Sequence, residues 1–193
     1  FIGEGRLQVM PTMGGPRRLL LGAIALLWAL AGGFAWASMG RDPHRGRFAV
    51  AWLLSLTGCL GVFVAGDLIS FYLLFSLSSL AAYVLVIHDH TPAARRAANA
   101  YLALTIFGEA FLLLAFIMLA SNASDGSILI REVVQALPES PNRSAVLVLL
   151  MLGFGTKAGL VPLHGWLPLA HPAAPTPASA VLSGAIIKTG IIG

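Results

Sequence analysis

The stretch "GTKAGLVPLHGWLPLAHPAAPTPASAVLSGAIIKTG", Gly155 to Gly190, holds both lysines of the sequence, Lys157 and Lys188; ten arginines stand elsewhere. The neighbours of both lysines are residues that partition into hydrocarbon. Lys157 lies about thirteen residues into one apolar run and Lys188 about twelve into the next, which at about 1.5 Å per residue places each near the middle of a bilayer. A charge there costs at least about 2.5 kcal/mol, so such a residue faces a bundle interior or a wet cavity and is a functional candidate by default. Arginine holds its proton, whereas a desolvated lysine is able to release one. A fixed structural ion pair is the competing reading of each lysine. The run around Lys157 is also broken. Pro162 lacks an N–H and clashes with the carbonyl of Ala158, Val161 is pushed away from helical angles, and Gly159 loosens the same turn. Irregular backbone at membrane depth is tolerated where it is buried or lines a cavity.

Composition widens this reading to the whole chain. Of 193 residues, 58% are hydrophobic and 10% charged, against about 25% charged in a soluble domain. The fold class is an all-α, polytopic membrane bundle with about six spanning helices, one of them discontinuous. The spans run over about 19–39, 48–65, 68–87, 97–120, 144–168 and from Thr176, which reads as an N-cap with Pro177 at the first helical position. Residues 1–18 read as an extramembrane or loop segment of a longer chain, 19–47 as a preceding helix and loop, and 48–193 as one repeat. A short amphipathic segment at about 127–137, with Ile130, Val133, Val134 and Leu137 on one side, predicts an interfacial helix. Loops 40–47 and 88–96 share one end and carry five arginines, which favours that end as cytoplasmic. The net charge of +4 is thus topological, and no nucleic-acid surface is expected.

Among the remaining polar groups, Glu109 reaches similar depth, about twelve residues into its span, either as a relay carboxylate or as a protonated core acid. His164 follows the break and His171 lies just beyond it; imidazole passes protons near neutral pH. Two histidines seven apart without a cysteine or carboxylate companion do not make a metal site, and none is expected. Asp67 reads as a turn cap, His88 and His90 as solvated loop residues, Trp166 as an interfacial anchor, and Tyr101 as a packing residue. Cys59, the single cysteine, reads as a buried hydrophobe. No cysteine cluster, axial-ligand helix pair or dinucleotide loop appears, so no redox chemistry is assigned to this chain.

"KAGLVPLHGWLPLAHPAAPTPASAVLSGAIIKTG" closely resembles the signature of the antiporter-like membrane subunits. These occur in respiratory complex I, in membrane-bound hydrogenases such as formate hydrogenlyase and hydrogenase-4, and in multisubunit cation/proton antiporters. "GDLISFYLLFSLSSLAAYVLV" and "AYLALTIFGEAFLLLAF" extend the resemblance more loosely. It implies a fragment of a roughly fourteen-helix inverted-repeat protein. The family's seventh-helix lysine falls on Lys157, its eighth-helix lysine on Lys188, and His164 and His171 match family positions. Two departures stand out. Ser76 occupies the place of the glutamate that partners the family's lysine, which leaves Glu109 as the candidate replacement, and Leu169 stands where many relatives carry an acid.

The resemblance implies a proton-translocating membrane subunit of a redox-driven complex, working through Lys157, Glu109, Lys188, His164 and His171, with Ser76 and Thr156 as polar relay candidates and Gly159 and Pro162 as the helix break. Quinone, iron–sulfur or NADH chemistry would reside in partner subunits, and no cofactor is bound by this chain. The expected setting is a prokaryotic cytoplasmic membrane, among other membrane subunits and lipid. A subunit of a sodium/proton antiporter and a structural paralogue that no longer pumps are the alternatives.

Overall fold

The computed structural model describes residues 15–123 and 126–192. Most of the segment expected over residues 1–18, namely 1–14, lies outside the described residues. Helices account for nearly all of the rest: α1 (Gly15–Ser38), α2 (Arg45–Val64), α3 (Leu68–Val86), α4 (Pro92–Asn122), α5 (Ile130–Ala136), α6 (Arg143–Ala158), α7 (Leu167–Ala173), α8 (Thr176–Val181) and α9 (Ile187–Ile192). Five segments are long and apolar enough to cross a membrane: 19–38, α2, α3, α4, and Arg143–Ala173 with its interruption. The sixth expected span is α8 and α9 joined by a π-helical turn, Leu182–Ile186.

Local chemistry sets the helix ends. Asp67 is extended, and its Oδ1 accepts the Ser70 N–H at 2.8 Å, so the three-residue connection after α2 starts α3 at once. Thr91 Oγ1 accepts the Ala94 N–H at 3.0 Å and Pro92 enters the first turn, so α4 begins five residues before the hydropathy run at Ala97. Span six has Pro175, not Thr176, at its cap position. After α4 the chain returns to the α2–α3 turn, where Leu68 N–H reaches the Ile128 carbonyl at 2.9 Å and Ile130 N–H the Gly66 carbonyl at 3.0 Å. That pairing seats α5 beside the α2–α3 turn with Val133 buried, but Val134, expected on the same apolar side, is exposed, so the buried stripe is narrower than the sequence pattern suggests.

Small residues four apart in a membrane helix, such as Gly155 and Gly159, predict a close helix contact there. The tight contact of α4 with α6 is instead made at Gly108 and Gly153. A Cβ built on Gly153 would meet Leu112 side-chain atoms at 2.4 Å and the Gly108 carbonyl at 2.9 Å. Between membrane helices, close packing supplies much of the association energy. Gly153→Val should therefore push α4 from α6 and cost about 1–3 kcal/mol. A clear fall in the thermal midpoint of the detergent-solubilised protein is expected; an unchanged midpoint would contradict this packing.

At the opposite end the two arginine-bearing loops meet, as their shared side requires. His88 is 3% exposed, not solvated as its loop position suggests. Its ring lies edge-on to Phe48 with centroids 5.1 Å apart, and its Nε2 sits 2.9 Å from Asp42 Oδ2. Neighbouring His90 takes a positive φ of 53° and meets the Arg47 guanidinium. The His88 hydrogen bond, and secondarily the His44 N–H, hold the Asp42 carboxyl below its ordinary value of 3.8. A depressed carboxyl stabilises the fold above its unfolded value, and that contribution disappears as pH falls through the folded one. Asp42→Asn should thus lower the thermal midpoint at pH 7, with the gap to wild type closing as pH drops below about 4. A gap unchanged between pH 7 and pH 3 would show that Asp42 acts otherwise.

Candidate proton-transfer site

The site forms where three helices and a broken segment converge. α4 presents Tyr101, Thr105, Gly108 and Glu109, spaced i, i+4, i+7 and i+8 and so on one face. α6 presents Gly153, Thr156 and Lys157, and α3 contributes Phe75. Trp166 closes the group from the 3₁₀ segment Leu163–Trp166 beyond the break. Together they line a cavity of about 10 Å³, on the scale of one water molecule. The Gly108–Gly153 approach is what brings the Glu109 and Lys157 turns onto one cavity, since a side chain at either glycine would separate the helices.

Lys157 is 5% exposed, in the last turn of α6. Its Nζ donates to Ser79 Oγ and stands 4.8 Å from the Phe75 ring centroid, a cation–π contact. Ser79 in turn donates to the Phe75 carbonyl at 3.0 Å, and the Tyr101 hydroxyl donates to the Ser79 carbonyl at 3.2 Å. Glu109 is divided between two environments. Its Oε2 accepts the Ser76 hydroxyl at 2.8 Å, while Oε1 is buried with no hydrogen-bond partner among the described residues. Glu109 and Lys157 share the cavity without an ion pair within 4.0 Å.

The break has the expected residues. Gly159 adopts the left-handed conformation, φ 71°, and ends α6. Leu160 N–H bonds the Gly155 carbonyl at 2.8 Å, and the chain resumes as a 3₁₀ turn after Pro162. The other predicted residues divide. Ser76 and Thr156 lie at the site, although the Thr156 hydroxyl donates at 2.7 Å to the Leu152 carbonyl of its own helix. Lys188, half-buried on α9, is not among the cavity residues, nor is His164, which is exposed within the 3₁₀ turn. His171 Nδ1 pairs with Ser179 Oγ at 2.9 Å, joining α7 to α8.

Ser79, Phe75 and Tyr101 were not singled out by sequence reasoning as site residues. The 101/105/109 spacing on α4 was the available signal for Tyr101, while Ser79 carried none beyond sharing a face with Phe75. Trp166 is a correction: it is 2% exposed and packed edge-on to Tyr101 at 5.0 Å, not an interfacial anchor.

Fold and site together define a polytopic α-helical membrane protein that brings a buried lysine and a half-buried carboxylate to one cavity beside a helix break. Residues 65–193 match the family described as NADH:quinone oxidoreductase/Mrp antiporter, TM, and the chain belongs to that family. An uncharacterized protein of Mycobacterium tuberculosis is 38% identical over 156 residues, 79% of this chain and 24% of that protein. Hydrogenase-4 component B of Escherichia coli is 32% identical over 173 residues, 88% of this chain and 25% of its own length. The chain thus spans about a quarter of the length of these curated relatives. Among solved structures, a chain of the membrane-bound sulfane sulfur reductase, an archaeal respiratory membrane complex, superposes with a TM-score of 0.84 at 23% identity, over 97% of this chain and 40% of that one.

Proposed function

We propose that this chain is the proton-carrying part of a membrane subunit in a redox-driven complex, in which Lys157 is the central titrating group and Glu109 its modulating carboxylate. The observation that carries this reading is the shared cavity. At mid-membrane depth, Lys157 and Glu109 face one space, and Glu109 keeps one oxygen, Oε1, uncommitted to any protein donor. A lysine whose charge is desolvated releases its proton when a nearby negative charge is withdrawn or neutralised, and reloads when that charge returns. Protonation of Glu109 at Oε1 supplies such a change without moving a helix. The Ser79 hydroxyl accepts from Lys157 and donates to the Phe75 carbonyl of its own helix, so it fixes the resting position of the Lys157 amine beside the cavity. Lys188, one helix on, is the next carrier, and His164 and His171 serve the outer parts of the route. Ser76 in place of an acid favours a silent paralogue only if no other carboxylate serves Lys157. Glu109 on the Lys157 cavity supports the active reading instead.

The family's description names both quinone oxidoreductases and Mrp antiporters, so sodium/proton exchange is the second reading. Proton flux in vesicles carrying the full-length protein with its partner subunits tests both. Redox-dependent flux indifferent to sodium supports the first, and flux that requires a sodium gradient without a redox donor supports the second. Normal flux in an assembled Lys157→Arg variant would remove Lys157 as the titrating group.

A further inference from the structure

We propose that Trp166 is a positioning residue that holds the last turn of α6 so that Lys157 stays on the Ser79 side of the cavity. The inference deepens the proton-transfer reading and rests on it. An α-helix leaves its final carbonyls without intrahelical partners. In α6 those carbonyls flank Lys157, and the break that follows denies them a continuing helix. The Gly155 carbonyl is satisfied by Leu160 N–H at 2.8 Å. The Thr156 carbonyl receives a long bond of 3.3 Å from Gly159 N–H, and a shorter one of 2.9 Å from Trp166 Nε1. The indole therefore reaches back across the break to pair the carbonyl immediately before Lys157.

The same ring closes a circuit of contacts. Trp166 lies edge-on to Tyr101, the Tyr101 hydroxyl bonds the Ser79 carbonyl, and Ser79 Oγ receives Lys157 Nζ. In addition, α9 approaches so closely at Gly190 that a Cβ there would sit 3.0 Å from Lys157 Cβ and 2.8 Å from the Ala158 nitrogen. Lys157 is thus braced both by α9 at Gly190 and by Trp166 through the Thr156 carbonyl. Without the indole N–H, the Thr156 carbonyl keeps only its long bond and becomes a competing acceptor beside the lysine.

The test is proton flux against pH in vesicles of the full-length, partnered protein. Trp166→Phe keeps a ring against Tyr101 and removes the N–H. Flux should fall about tenfold and the midpoint of its pH dependence should move by about one unit, the scale of one hydrogen bond beside a titrating group. Benzothienylalanine at position 166, which matches the indole in shape but has no N–H, should reproduce both effects if Trp166→Phe assembles poorly. Wild-type flux with an unmoved midpoint in either assembled variant would overturn the proposal. Lys157→Arg in the same vesicles separates the two failures. If it is silent while the Trp166 variants behave as wild type, only the positioning role is lost; if it pumps, the titrating role of Lys157 falls first.

Discussion

Replacing Lys157 should abolish proton flux, by about 10²-fold or more, the scale lost when a positioned proton-transfer group is removed. Two substitutions separate the reasons. Lys157→Met keeps a flexible apolar chain of similar reach against Phe75, so the assembled protein should persist while flux disappears. Lys157→Arg keeps the positive charge over Phe75 and the bond to Ser79, but a guanidinium holds its proton. If Lys157 serves as a fixed structural cation, the Arg variant retains flux; if it serves by release and reloading, the Arg variant is as silent as Met. Flux in reconstituted vesicles, normalised to assembled complex, reads the difference.

The second large effect concerns the carboxylate. Glu109→Gln preserves the volume and keeps an oxygen able to accept the Ser76 hydroxyl, now at 2.8 Å, so packing and fold should survive. What disappears is the charge that changes with proton occupancy at Oε1. Flux should fall at least about tenfold. The geometry also predicts a rescue. Because Ser76 Oγ and Glu109 Oε2 are in direct contact, a carboxylate grown from position 76 reaches much the same space. The double variant Ser76→Glu with Glu109→Gln should recover a substantial share of flux. Full activity in Glu109→Gln would dismiss Glu109 as the modulator and leave Lys157 untouched. A silent double variant in an assembled complex would show that the carboxylate must sit on α4.

Much of this arrangement was legible in the chain itself, and the parts that were share a cause. Span positions follow from runs of apolar residues, because a backbone crossing hydrocarbon must satisfy its polar groups within a helix. The break in span five follows from Gly159 and Pro162, whose effects act on their own turn. Asp67 and Thr91 cap helices through bonds three residues long. The depth of Lys157, Lys188 and Glu109 is a count along a helix of known rise. Membership of the family rests on "KAGLVPLHGWLPLAH" and its continuation, a local string.

What the chain did not fix is rotation, meaning which side of each helix faces which neighbour. α3 and α4 are apolar on most sides, so periodicity gives their azimuth little signal. Glu109 could have faced lipid; the Gly108–Gly153 contact turns it to the Lys157 cavity. Packing at the site also gives Lys157 its acceptor in Ser79, turns Trp166 inward and leaves His164 outside, and at the other end a separate meeting of two loops buries His88 against Asp42. Sequence alone determined that ionisable groups stand well inside long apolar runs beside a broken helix. Only the tertiary structure decided which of them meet, because close approach between helices depends on where two small residues coincide across a gap, and that coincidence joins positions 45 residues apart in the chain.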